Sequence, residues 1–270
     1  MKLKLKQPKV LAAVHPNAGL EAQYRRELRK LIRQMHESVT YWVRAAYRAN
    51  EPLIAQDELP AAVLRRVLRR LTVRWQKRFN DAAPRLAKYF ATAIEKRSKS
   101  VLQGILDDAG FTVDFKMTRT MQDVMNATIA EQVGLIRSIP QKYFTDVEGA
   151  VMRSVQAGRD LGPLTDHLQK TYGVSFRRAA LIARDQNNKA TATMTRVRQQ
   201  EMGITEAVWL HSHGGKEPRP THLANSGKKY DVKKGWYDPD AHGKGKGDWI
   251  FPGQLINCRC VSKPVIPGFS

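Results

Sequence analysis

Apolar residues in the stretch "GLEAQYRRELRKLIRQMHESVTYWVRAAYRAN", residues 19–50, recur every three or four positions at Leu20, Tyr24, Leu28, Leu31, Met35, Val39, Trp42 and Ala46. That period lines one face of an α-helix and cannot line one face of a strand, so this part of the chain is committed to a long amphipathic helix. Asn17, just upstream, supplies an N-cap. A second helix is predicted to begin near Asp57 and to carry "VLRRVLRRLTVRWQKRF". Pro84 either kinks it or sits in the first turn of the next helix, capped by Asp81. Gly110 ends "VLQGILDDAG", and "FTVDFKM" alternates weakly enough to be a strand or a loop. Helical patterns follow in "TRTMQDVMNATIAEQVGLIRSI", from Pro140 to Gly158, in "PLTDHLQKTY", and in "SFRRAALIARDQNNKATATMTRVRQQEM", which Gly203 closes.

Beyond Gly203 the chain becomes short-patterned and rich in Gly, Pro and Asp. "ITEAVWLHS" reads as a short strand, "CRCVSKPVI" as a closing strand, and the residues between them as a long excursion. The expected fold is α+β: a basic arm over residues 1–16, an α-helical region over 17–203, and a small β or irregular module over 204–270. With 270 residues the chain is long enough to bury a sizeable core. It contains no apolar run of 18 residues and no signal-peptide h-region after "MKLKLKQPKV", so neither a membrane span nor export is expected.

Charge narrows the partners. The chain holds 46 Lys and Arg against 25 Asp and Glu, a formal charge of +21 that draws it to polyanions. Residues 61–100 carry twelve Lys or Arg against Asp81 and Glu95 alone. The pairs Arg65/Arg66 and Arg69/Arg70 repeat every four residues and continue through Arg74, Lys77 and Arg78, while Val63, Leu64, Val67, Leu68 and Leu71 form the opposite face. Like charges at this spacing repel by a few tenths of a kcal/mol per pair, so the row is better explained by an external anion than by helix stability. Duplex phosphate, contacted without regard to sequence, or an acidic protein would each satisfy it. A membrane surface would require more exposed aromatics beside the row than Trp75 and Phe79 supply.

The two cysteines, Cys258 and Cys260, exclude a disulfide scaffold and suit a reducing cytosol. In an extended segment they face one side, with Arg259 on the other and Cα atoms about 6.6 Å apart, a poor geometry for a mutual disulfide but a workable one for gripping one cation. The upstream histidines His211, His213, His222 and His242 are candidates to complete the set, and Cys258, Cys260, His222 and His211 form the candidate zinc site. The competing reading is two thiols buried as small apolar side chains.

The order "GVSFRRAALIARDQNNKATATMTRVRQQEMGITEAVWLHS", "RPTH", Gly227, "FPG" and "NCRC" resembles the phage Mu F-like head morphogenesis family of minor capsid proteins, over roughly residues 160–265. The signature falls on Ala183, Arg184, Asp185, Gly203, Trp209, Arg219, His222, Gly227, Pro252, Gly253, Asn257, Cys258, Arg259 and Cys260. Family members often carry an Asp between the strand Trp and the Arg-x-x-His; here "HSHGGKEP" follows Trp209 instead. The resemblance implies a low-copy minor head protein of a tailed phage, made in the host bacterial cytoplasm and located inside the capsid. It implies a portal protein and a major capsid or scaffolding protein as partners, double-stranded DNA as a neighbour, and a role in head assembly and in DNA packaging or ejection.

The alternative is a metal-dependent nuclease acting on phage or host DNA, because "HSHGGKEPRPTHLAN" loosely resembles His-metal nuclease sites. Such sites place a strand, a turn and a helix that returns a further ligand, and after Asn225 the chain enters Ser-Gly-Lys-Lys instead. No Ser-His-Asp order, phosphate-binding glycine loop or paired-carboxylate context occurs. No catalytic residues are assigned, and a non-enzymatic role is expected.

Overall fold

The computed structural model describes residues 8–49, 60–157, 161–214 and 217–267. In chain order the elements are β1 (Lys9–Val10), α1 (Ala18–Ala49), α2 (Pro60–Asp108), α3 (Arg119–Gln156), α4 (Leu161–Glu201), β2 (Glu206–Leu210), α5 (Pro220–Ala224), β3 (Lys229–Asp231), β4 (Trp236–Asp238), β5 (Asp248–Ile250) and β6 (Val261–Ile266). Helices dominate the first part and short antiparallel strands the last, the α+β class expected from the sequence. No described helix is long and apolar enough to cross a membrane.

The helices are fewer and longer than their punctuation suggests. Asn17 caps α1 as expected, its Oδ1 accepting from Leu20 N–H at 2.9 Å. Pro84 interrupts nothing: α2 runs through it for 49 residues, and Asp81 pairs with Lys77 at 3.1 Å instead of capping a new helix. Pro140 likewise lies inside α3, and the two stretches expected on either side of Gly173 form one helix, α4. The expected helix start at Asp57 lies outside the described residues. "FTVDFKM" is a loop that lays Phe115 into the core, and Gly110 and Gly203 end α2 and α4 in the left-handed region at φ 91° and 75°. On α1 the buried stripe is Tyr24, Leu28, Ile32, Met35, Val39, Val43 and Ala46, while Trp42 is exposed. Leu31 and Trp42, read as core, thus yield to their neighbours Ile32 and Val43. One residue is 100° of helix, enough to carry a side chain off the buried face.

The chain divides into two compact units, along other lines than the helix-to-strand transition at Gly203. One comprises residues 22–88 and 129–183 and, where described, is helical but for a turn at Ala157. Its core takes Leu28, Ile32 and Met35 from α1, Leu64, Trp75 and Phe79 from α2, Ile136, Tyr143 and Val147 from α3, and Leu168 and Ala179 from α4. His36 Nδ1 lies 3.0 Å from the Tyr143 hydroxyl and its ring stacks on Tyr172. Arg78 donates to Gln34, and Arg178 to Ser138.

The other unit comprises residues 1–21, 89–128 and 184–270. Its main sheet has the order β1-β6-β2-β3, antiparallel throughout, with Trp209 opposite Ser262 and Ala207 opposite Tyr230; β4 and β5 form a separate two-stranded sheet. The segment read from sequence as a basic arm contributes, in its described part, a two-residue edge strand and two core residues: Lys9 pairs with Ile266, and Leu11 and Val14 are buried. One apolar cluster joins these two to Leu102 and Leu106 of α2, Trp209, Tyr230, Ile250, and the two cysteines.

Candidate metal centre and its polar latch

The segment between β5 and β6, residues 251–260, has almost no ladder to hold it, so its backbone groups need other partners. They find them on α4. Asn257 N–H donates to Asp185 Oδ1 at 2.8 Å, Arg184 Nη2 donates to Asn257 Oδ1 at 2.8 Å, and Asn188 Nδ2 donates to the Cys258 carbonyl at 3.2 Å. Lys189 holds Asp185 from the other side at 3.0 Å. Farther along the helix Ser262 donates to Gln199, and Gln200 to the Val232 carbonyl. This accounts for part of a feature that helical periodicity leaves odd: of the polar residues α4 buries, Asp185 and Asn188 meet this segment and Gln199 meets β6, while Arg198 pairs with Glu95 of α2 and Asn187 donates to the Asn17 carbonyl. Buried polar groups are stabilised by pairing, and here Asp185 and Asn188 serve as a template for an irregular chain.

Two residues let that chain come close. Gly253 sits at φ 79°, and a Cβ there would lie 2.7 Å from the Ala192 Cβ, so only glycine fits. Asn257 takes φ 61°, a conformation that asparagine tolerates better than most residues. Arg219 Nη2 reaches the Ile256 carbonyl at 3.0 Å, and Arg259 donates to the Gly214 carbonyl. Arg184, Arg219, Gly253, Asn257 and Arg259, picked out as signature positions, thus act as one fastening. Pro252 is buried beside Gly253.

The fastening delivers two thiols to a histidine. Cys258 and Cys260 lie just before β6, which begins at Val261 and not at Cys258 as the sequence suggested, and both are buried. Their sulfurs lie 3.5 Å and 3.6 Å from one atom, Nδ1 of His222, which the five-residue α5 carries. Among the described residues this trio is the set whose ligand atoms converge, all within 4.8 Å of one another. Behind His222, Nε2 lies 3.2 Å from Oδ2 of Asp238, a carboxyl that is 0% exposed. That oxygen also accepts from the Thr221 hydroxyl, and Oδ1 accepts from Asp240 N–H. The separation is that of an ion pair, and its alignment falls short of a hydrogen bond. Trp209, fully buried, packs edge-on against the imidazole with ring centroids 5.2 Å apart.

The thiols are not equivalent. Cys258 is pulled below the ordinary thiol range because Cys260 hydrogen-bonds to its thiolate and His222 adds to the effect, against the opposing influence of burial. Cys260 is pushed up by the same hydrogen bond and by burial. The pair therefore gives up its first proton readily and its second with difficulty.

Of the four ligands read from the sequence, the structure brings together His222, Cys258 and Cys260. His211 stands on the wall of the same cavity, about 50 Å³, which His222, Glu217, Arg219, Asn257 and both cysteines also line. Its Nδ1 accepts from His213 N–H at 3.1 Å, and burial, with the neighbouring His213, lowers its pKa. His213 is exposed, and His242 lies apart, paired with Asp248 at 3.0 Å. Asp238 was missed by sequence reasoning: it lies in "WYDPD", 16 residues beyond His222, in a Gly- and Asp-rich stretch that offers no periodic signal. Asp185 was visible only through the family signature.

The basic row lies in the helical unit. Arg65, Arg66, Arg69, Arg70, Arg74, Lys77 and Arg78 are all exposed, while Leu64, Leu68, Leu71, Trp75 and Phe79 are buried. Arg78 also stacks over Trp75 at 5.1 Å.

Residues 145–263 match the family described as Phage Mu protein F like protein. The likeness drawn from "RPTH", "FPG" and "NCRC" is thereby borne out, and the trio, Asp238 and the α4 latch all fall inside the matched span. An uncharacterized protein of Haemophilus influenzae is 34% identical over 145 residues, 53% of this chain and 29% of that protein, so the chain spans less than a third of that relative's length. No solved structure matches.

Proposed function

We propose, from the membership of residues 145–263 in the Phage Mu protein F-like family, that this chain acts in phage head morphogenesis as a minor head protein. It sits inside the capsid near the portal, contacts packaged DNA without reading sequence, and has a structural and not a catalytic part in assembly and in packaging or ejection. The family match supports the head role. The DNA contact rests on the α2 face, where seven cationic side chains are exposed in one row on a chain of formal charge +21. Phosphate neutralised by such a row releases counterions, which makes affinity sequence-independent and steeply salt-dependent. Portal, major capsid and scaffolding proteins are the partners this reading names.

Two measurements test it. Replacing Arg65, Arg66, Arg69 and Arg70 by Gln weakens binding to any duplex about equally and flattens the slope of log affinity against log salt by roughly 0.9 per lost phosphate contact. Unchanged affinity and slope in the quadruple variant overturn the DNA contact, and a wild-type chain that scarcely binds duplex DNA points to an acidic protein instead. In purified heads the chain is expected to resist external protease until the heads are opened. Its absence from heads, or its digestion on intact ones, overturns the location.

A further inference from the structure

We propose that Cys258 Sγ, Cys260 Sγ and His222 Nδ1 hold one zinc ion, that Asp238 fixes the histidine for this purpose through Nε2–H, and that the fourth position opens on the cavity beside His211. The distances carry the first part. A tetrahedral zinc ion with bonds of about 2.3 Å to sulfur and about 2.05 Å to nitrogen separates a sulfur ligand from a nitrogen ligand by about 3.6 Å. The two separations here are 3.5 Å and 3.6 Å, and they end on one nitrogen atom.

The histidine's tautomer carries the second part. With a proton on Nδ1, the lone pair of Nε2 would face the buried Asp238 carboxyl at 3.2 Å, lone pair against lone pair. With the proton on Nε2 the N–H turns its positive end toward the carboxyl oxygen, an attractive contact at 3.2 Å although bent beyond a hydrogen bond, and the Nδ1 lone pair is left aimed at the space the sulfurs enclose. A carboxyl behind a ligating imidazole is the arrangement that raises ligand basicity and fixes ring orientation at zinc sites. Asp238 is itself held by Thr221 and by Asp240 N–H, so it is positioned and not adrift. Two thiolates and an imidazole converging on one point favour zinc over hard cations such as magnesium or calcium.

His211 stays out of the ligand set. Its Nδ1 lone pair is engaged by His213 N–H, so in the neutral ring the proton is on Nε2 and no lone pair remains for a metal. The fourth ligand is therefore solvent from the cavity. The physical return is local order: this stretch has strands of only three residues in β3, β4 and β5, and a metal that ties α5 to the 258–260 segment supplies cohesion that so few ladders cannot.

The test uses the full chain, purified under reducing conditions after growth with added zinc. Elemental analysis is expected to give one zinc per chain. Cobalt substituted for zinc gives tetrahedral visible bands and a sulfur-to-metal charge-transfer band, which weakens in Cys258→Ser and in Cys260→Ser. Asp238→Asn lowers zinc affinity by about 10- to 100-fold while still filling to one ion at saturation. His211→Ala leaves stoichiometry and affinity unchanged. Chelator opens residues 204–267 of the wild-type chain to protease. If either serine variant fails to fold, Asp238→Asn and zinc titration of the chelated wild type decide the matter. A reduced chain that takes up no stoichiometric zinc, a serine variant of wild-type affinity, unchanged affinity in Asp238→Asn, or loss of metal in His211→Ala each overturns the proposal.

Discussion

Both compact units bury an apolar core, but only one adds to it a polar helix face that fastens an irregular chain. The helical unit, residues 22–88 and 129–183, hides apolar stripes and leaves its charges outside, so what matters at each core position is volume and hydrophobicity. In the unit holding residues 184–270, a helix buries Asp185, Asn188 and Gln199, and each must meet one particular partner. Hydrophobic burial is non-directional and tolerates exchange; hydrogen bonds and metal ligation are directional and do not. The same chain thus contains one region whose sequence is interchangeable within a pattern and one whose residues are individually fixed.

Substitutions that separate volume from identity break or sharpen this contrast. The largest effect is expected from Leu28→Ala in the helical unit, where loss of a side chain that is 0% exposed costs about 2–5 kcal/mol, while Leu28→Met costs less than about 1.5 kcal/mol. Thermal unfolding of both variants measures the gap, and equal losses would mean that this core is as exacting as the latch. Gly253→Ala is next, at about 2–4 kcal/mol, because it combines a left-handed backbone with a methyl group driven into Ala192. Protease should then enter the 251–260 segment first.

Asp185→Ala follows at about 1–3 kcal/mol, since it strands the Asn257 N–H and releases Lys189. Asp185→Leu, which restores bulk without an acceptor, is expected to be no better. Rescue by leucine would show the latch to be packing after all. A smaller, pH-dependent effect belongs to His36, whose pKa burial lowers. A group with a depressed folded-state pKa is neutral in both states at high pH, so stability is full above about pH 6.5 and falls as the pH drops and the unfolded chain takes up the proton preferentially. In His36→Gln that part of the acid loss, read from denaturant midpoints between pH 7 and 5, should disappear. The smallest effect is on Arg70→Gln, within about 0.5 kcal/mol, because its side chain is exposed on the basic row.

Legibility from sequence follows the same divide. The helices of the first part were readable from apolar spacing, and the exposed basic face of α2 from the clustering of Arg and Lys, because helical geometry turns local sequence directly into faces. Pro84 and Pro140 misled the boundaries: a helix tolerates a proline when the surrounding turns are packed, and packing is not local information. At the candidate site the same-side placement of Cys258 and Cys260 was readable from their spacing of two. The buried polar run on α4 stood in plain view as "RDQNNKATATMTRVRQQ", yet its meaning was not legible, because its partners come from residues some 70 positions away.

What the sequence determined by itself is therefore the local and the repetitive: helix after helix, a cationic face, two thiols on one side of the chain, and a set of motifs with a recognisable order. Only the tertiary structure decided which histidine meets the thiols, that a carboxyl from β4 stands behind it, that residues 9–10 form a sheet edge against β6, and that Ile32 and Val43 pack where Leu31 and Trp42 do not. The physical reason is that helical periodicity and side-chain alternation act over a few bonds. Convergence of ligands, pairing of strands and the choice between adjacent apolar residues depend on where distant segments come to rest.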